Sequence, residues 1–139
     1  MKTRAKILVV DDDLDFIEIS KLSLESQGYR VFSAFNAQQG WKMVAKEKPD
    51  LIILDLMMER LDSGMALGQQ IKNHPRYGPI PILMLTSISR DTGMDFAPRT
   101  PEDLKQLPVD DFCSKPIKVQ VLVEKVGKLL AKKRGRGKK

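Results

Sequence analysis

Three successive carboxylates, Asp11, Asp12 and Asp13, close the apolar run "KILVV" at residues 6–10. A single carboxylate, Asp55, follows a second apolar run, "LIIL" at 51–54. A third run, "IPILML" at 80–85, ends in the hydroxyls of Thr86 and Ser87, and the short segment "DFCS" at 111–114 ends beside Lys115. Carboxylates gathered at ~4 Å repel by about 4 kcal/mol per pair at an effective dielectric of 20, so a cluster of them calls for a cation. Hard oxygen donors with no His or Cys beside them favour Mg²⁺, or Mn²⁺, over zinc. With Asp11, Asp12 and Asp55 ionised, one such ion and the Lys115 ammonium bring the local charge to zero. A carboxylate beside a divalent ion, a hydroxyl and a lysine is equipped to accept a phosphoryl group. The cations neutralise the transferring oxygens while the carboxylate attacks.

The elements between these residues have to bring them to one place. Runs 6–10, 51–54 and 80–85 are continuous and apolar, as expected of strands buried on both faces. "RVFSAF" at 30–35 alternates like a strand. Between the runs, "LDFIEISKLSLESQ" at 14–27 reads as a helix ended by Gly28. Asn36 caps a helix over 37–48 that stops at Pro49, and Ser63 caps one over 64–73. Residues 118–131 place Val119, Leu122, Val123, Val126, Leu129 and Leu130 on one helical face. Asp13 has a simpler use than chemistry, as the cap of the helix that begins at Leu14. The alternation of strand and helix predicts an α/β fold, a parallel sheet with helices on both faces. In such a sheet the carboxyl ends of the strands share one edge, where ligands bind at the switch point.

Four blocks in order, "ILVVDDD" (7–13), "PDLIILDLMM" (49–58), "PILMLTS" (81–87) and "FCSKPI" (112–117), make the chain resemble the receiver domain of two-component response regulators. The resemblance covers about residues 5–131. It implies a CheY-like, flavodoxin-like doubly wound sheet of five strands in order 2-1-3-4-5. It also implies that Asp55 is the phospho-acceptor, served by Lys115 and Thr86. Asp11, Asp12, Asp55 and the backbone carbonyl of Met57 would hold the metal, with Asp12 a direct ligand. Thr86 takes the place of the switch hydroxyl and Phe112 that of the switch aromatic. The donor implied is a sensor histidine kinase or a histidine phosphotransfer protein, and the target is a downstream protein of unspecified identity. The resemblance makes the chain a signalling phospho-acceptor rather than an enzyme, acting as a stand-alone switch.

Two departures from the family pattern stand out. The loop "MMERLDSG" after Asp55 lacks the family's proline and is one residue longer. The interval from Thr86 to Lys115 is also longer, with Pro98, Pro101 and Pro108 in it. There an irregular loop at 88–100 and a short helix at about 101–107 are expected in place of the fourth helix. Met57 and Ile88, both apolar, stand two residues after the acceptor and the switch hydroxyl. Neither can orient water by a hydrogen bond, so slow loss of the phosphoryl group is expected. Two other readings compete. One is a receiver-like interaction module independent of phosphorylation. The other, an aspartyl phosphohydrolase of the haloacid dehalogenase type, needs a second Asp where the chain has Met57.

The 139 residues, 42% hydrophobic and 30% charged, fit one globular domain. No apolar run approaches the ~20 residues that span a bilayer, so no membrane insertion is expected. A single cysteine, Cys113, excludes an intrachain disulfide and suits the reducing cytoplasm. The net charge of +6 is local. Of 24 Lys and Arg, six lie in "KKRGRGKK" at 132–139, and the remaining 18 equal the 18 Asp and Glu. The division expected is a receiver domain at 1–131 and a solvated, disordered basic tail at 132–139. Contact of that tail with nucleic acid or an acidic partner is the alternative.

Overall fold

The computed structural model describes residues 5–55, 63–87, 110–115 and 117–137. Five strands, β1 (Lys6–Val10), β2 (Arg30–Ala34), β3 (Leu51–Asp55), β4 (Ile82–Ser87) and β5 (Asp111–Lys115), form one parallel sheet in the order β2-β1-β3-β4-β5. The described helices are α1 (Leu14–Ser26), α2 (Ala37–Glu47), α3 (Ser63–Asn73) and α4 (Val119–Gly137). This is the CheY-like, flavodoxin-like fold expected from the motifs. The expected irregular loop and short helix at 88–107, and the loop after Asp55, lie outside the described residues.

The sheet buries both faces, which is why its central strands read as unbroken apolar runs. Side chains alternate between two cores. Ile7, Val9, Ile53, Leu83, Leu85 and Cys113 meet Ile17 and Leu24 of α1 and Leu122, Val126 and Leu129 of α4. Leu8, Val10, Ile52, Leu54 and Met84 meet Val44 of α2 and Leu67 and Ile71 of α3 on the other side. Every residue of β1 after Lys6, and each of Leu51–Leu54, is fully buried.

Local chemistry sets the helix ends. Asp13 accepts from the Asp15 and Phe16 amides at 3.1 and 3.2 Å, so it is the cap that its position suggested. At the far end of α1, Gly28 adopts φ +94°, its amide bonds to the Glu25 carbonyl, and the Tyr29 amide bonds to the Leu24 carbonyl. That is a Schellman motif, and the left-handed residue in it favours glycine. Asn36 accepts from the Gln39 amide at 2.8 Å and starts α2. Lys48 ends α2 in the left-handed region at φ 49°, ahead of Pro49.

Two elements differ from the sequence reading by more than one residue at a boundary. β4 begins at Ile82 rather than residue 80, because Pro81 has no N–H for the ladder; its carbonyl still accepts from the Ile52 amide at 3.0 Å. The strand instead runs on through Thr86 and Ser87, which pair with Ser114 and Lys115. The second difference is at the carboxyl end. α4 continues to Gly137, so residues 132–137, expected as disordered tail, have helical backbone. Ala, Lys and Arg are good helix formers, and cations favour the negative end of the helix dipole. His74 stacks on Tyr77 at 4.2 Å with Trp41 edge-on to both rings at 5.8 Å.

Candidate functional site

The parallel register aligns the candidate residues along one edge. Val10 pairs with Leu54, so Asp11 and Asp55 are the next residues out on adjacent strands. Asp55 pairs with Leu85, one residue before Thr86, and Ser87 pairs with Lys115. The carboxyl ends of β1, β3, β4 and β5 thus present Asp11, Asp12, Asp55, Thr86 and Lys115 at the same edge of the sheet. The side chains of Thr86 and Lys115, and the whole of Met57, lie outside the described residues.

The three acids do converge. One carboxylate oxygen from each of Asp11, Asp12 and Asp55 lies within 4.8 Å of the others. Asp11 and Asp55 are buried, at 0% and 3% exposure, while Asp12 faces solvent. Burial of two like charges with a third beside them is unfavourable for the protein alone, and a cation shared among them removes the penalty. The donor set is all oxygen, and the spacing is one that a single hard divalent ion can span. Asp12 at the rim leaves a path from solvent to such an ion.

The turn after β1 holds the cluster in place. The Asp11 amide donates to the Ala34 carbonyl at 3.0 Å, carrying the β1–β2 ladder one residue past the strand. Asp11 Oδ1 accepts from the Asp13 amide at 2.9 Å. Asp13 is committed to capping α1, so the three successive acids divide their work: two face the edge and one starts a helix. A carboxylate whose orientation is set by backbone groups on both sides loses little freedom on binding an ion.

Phe112 lies on the α2/α3 side of the sheet, partly buried against the core that contains Leu8 and Met84. Its amide donates to Asp111 Oδ1 at 2.8 Å. Cys113 points to the opposite core. Burial pushes its thiol up to about 11, with the Lys125 ammonium opposing and the Asp111 carboxylate adding to the rise. It is a packing residue of that core.

One polar node escaped the sequence reading. Lys72 Nζ on α3 donates to the Ile80 carbonyl at 2.7 Å, the Gly78 carbonyl at 3.2 Å and Asp110 Oδ2 at 2.8 Å. The same Asp110 oxygen accepts from the Ile82 amide at 2.8 Å. The node ties α3 to the starts of β4 and β5, at the edge opposite the acids. Asp110 lies 38 residues from Lys72 and 28 from Ile82 in sequence, so no local pattern could reveal its part in the node.

Comparison with known proteins agrees with this geometry. The family model for the response regulator receiver domain matches residues 7–127. The chain is 31% identical over 129 residues to the DNA-binding dual master transcriptional regulator RpaA of Synechocystis sp., covering 90% of this chain and 48% of that protein. It is 36% identical over 111 residues to the alkaline phosphatase synthesis transcriptional regulatory protein PhoP of Bacillus subtilis, covering 80% of this chain and 42% of that one. The chain thus spans about half the length of the curated relatives it matches. A putative response regulator from Chloroflexus aurantiacus superposes with a TM-score of 0.77 at 29% identity, covering 93% of this chain and 99% of that one. With the acids of β1 and β3 meeting at the carboxyl edge of a 2-1-3-4-5 sheet, the chain belongs to the response regulator receiver domain family.

Proposed function

We propose that the chain accepts a phosphoryl group on Asp55, from a histidine kinase or a histidine phosphotransfer protein, in a Mg²⁺-dependent reaction, and thereby switches a protein-interaction face. The observation that carries this reading is the convergence of the Asp11, Asp12 and Asp55 carboxylates. Asp11 and Asp12, with Asp55 itself and the Met57 carbonyl, would hold the ion. The ion, when bound, offsets charge on the transferring phosphoryl oxygens. Asp55 supplies the attacking oxygen: a P–O bond forms as the bond to the donor nitrogen breaks. At the end of a rigid central strand, Asp55 meets the phosphorus with little positional freedom left to lose.

Lys115 and Thr86 complete the site in this reading. Thr86 stands at the carboxyl end of the strand beside β3 and Lys115 at that of the next strand out, and a hydroxyl and an ammonium there would hold the new phosphoryl group. The group adds up to two negative charges, and it acts as a switch only by binding one arrangement of the edge better than another. Phe112, on β5 with β4 between it and Asp55, is the aromatic that would move with Thr86. The chain carries out no turnover of its own beyond accepting and slowly releasing the group. Its place of action is the cytoplasm, and among the described residues no helix is long and apolar enough to cross a membrane.

The test is intact mass after incubation with acetyl phosphate and Mg²⁺. Wild type is expected to gain one phosphoryl group, and Asp55→Asn none. An unmodified wild type would favour an interaction module that does not use phosphorylation, and turnover of acetyl phosphate without an adduct would favour a hydrolase.

A further inference from the structure

The sheet ends on one side at β2, which pairs with β1 alone among the described residues. The Arg30 amide donates to the Ala5 carbonyl, and the Ala34 carbonyl accepts from the Asp11 amide. The even-numbered residues of β2 therefore turn their backbone groups toward β1. Backbone direction alternates along a strand, so the N–H and C=O of Val31 and Ser33 face the open side. The odd-numbered residues on either side of these are already committed. The Tyr29 amide donates to the Leu24 carbonyl at 3.3 Å, and the Phe35 amide donates to Gln39 Oε1 at 2.9 Å. The open edge is thus a short stretch centred on Phe32, with two donors and two acceptors. Edge strands that resist association carry proline, a bulge or charge. From Val31 to Ala34 the strand reads "VFSA", and its register with β1 is unbroken.

These four groups are complementary to a second copy of themselves. In an antiparallel pair about a two-fold axis at Phe32, Val31 of each copy meets Ser33 of the other. Each such pair exchanges two hydrogen bonds. Moving the axis to Val31 or to Ser33 calls on the Tyr29 or the Phe35 amide, both already taken. The side chains agree with the same register. Phe32 meets Phe32 of the second copy in the position where facing side chains come closest, and aromatic pairs there are favourable. Arg30, whose guanidinium carbon lies 5.6 Å from the Phe32 ring centroid, faces the small Ala34 instead of another cation. Phe35, just past the strand, is 45% exposed. A recess of about 300 Å³ lined by Glu25, Tyr29, Arg30, Val31 and Phe32 opens along the same edge. The pairing sets Phe35 of each copy opposite Tyr29 of the other, beside this recess. An unrelated extended peptide would reach the four backbone groups, but only a second copy also brings Phe35 to the recess.

We propose that β2 is a self-association edge, through which two copies of the chain pair antiparallel about a two-fold axis at Phe32 and join their sheets into one. Both copies use the same edge, so the contact closes at a dimer. β1 stands between this edge and Asp55, and the pairing uses no residue of the acidic site.

The experiment is sedimentation equilibrium of the full chain over a concentration series reaching the millimolar range, with amide hydrogen exchange followed by NMR along the same series. The expected result is a reversible monomer–dimer equilibrium in which the Val31 and Ser33 amides exchange more slowly as the dimer forms. Ser33→Pro removes one donor from each copy, two of the four bonds. At the usual net strength of a hydrogen bond it should weaken association about thirtyfold. An edge strand tolerates proline where the N–H faces solvent, and circular dichroism checks that the fold is kept. Phe35→Ser alters an exposed side chain and should weaken association about tenfold, which decides the matter even where Ser33→Pro does not fold. A monomer at every concentration would overturn the proposal. So would a dimer in which the Val31 and Ser33 amides exchange as fast as in the monomer, or one undiminished by either substitution.

Discussion

Asp11 and Asp55 are the residues where the fold accepts an unfavourable arrangement. Each is buried at the end of a run of four fully buried apolar residues, and their carboxylates approach each other and that of Asp12 within 4.8 Å. Hydrophobic packing would be served better by almost any apolar residue at these two positions. Cys113, by contrast, is buried without any such conflict. Its thiol, raised to about 11, stays neutral at ordinary pH and is a poor nucleophile. Iodoacetamide at pH 8 is expected to label it only after denaturation, which mass spectrometry under native and denaturing conditions would show. The folded thiol titrates above the unfolded one. Its contribution to stability is therefore full below pH ~9 and is lost as pH rises toward 11, by on the order of 2 kcal/mol. Denaturant titrations of wild type and Cys113→Ala across that range should converge as pH rises. A constant difference between them would contradict the assignment.

At the scale of elements, two glycines show how much the surroundings decide. Gly127 lies inside α4, and a Cβ there would meet nothing within 4 Å. Gly127→Ala removes the helix cost of glycine and should stabilise the protein by about 0.5–1 kcal/mol. Gly78 lies in the connection between α3 and β4, where a Cβ would come within 2.8 Å of the Lys72 carbonyl and 3.0 Å of the His74 carbonyl. Those are backbone atoms of the turn braced by the Lys72 node, so Gly78→Ala should destabilise by roughly 1–3 kcal/mol. Paired urea titrations would show shifts of opposite sign; two shifts of the same sign would contradict this reading. The elements themselves were largely legible. Continuous apolar runs gave β1 and β3, and Asp13, Asn36 and Gly28 marked helix ends, because these signals act within a few residues. The start of β4 was misplaced because Ile80 is apolar and buried yet precedes a proline that cannot join the ladder. The extension of α4 was missed because its apolar face stops at Leu130, and periodicity reports burial rather than backbone.

At the scale of the molecule, the motifs alone point to the carboxyl edge of the sheet. Asp11, Asp12 and Asp55 could be assigned to it because a parallel sheet sends strand ends to one edge. The register behind that convergence, and the brace from Lys72 to Asp110 at the opposite edge, depend on contacts between distant segments. An ion bound by the folded cluster and not by the unfolded chain must raise stability, by about 2.7 kcal/mol at a hundred times its dissociation constant. Mg²⁺ is therefore expected to raise Tm, a chelator to reverse the rise, and Asp12→Ala to abolish it in thermal unfolding followed by circular dichroism. An unchanged Tm at millimolar Mg²⁺ would argue against the cluster as a metal site. The most direct test of the whole account is chemical mapping of the acceptor. Wild type treated with acetyl phosphate and Mg²⁺ is quenched with borohydride, which reduces an aspartyl phosphate to homoserine, and the peptides are sequenced by mass spectrometry. The account predicts homoserine at position 55, none without Mg²⁺, and none elsewhere; modification at another carboxylate, or at none, would contradict it.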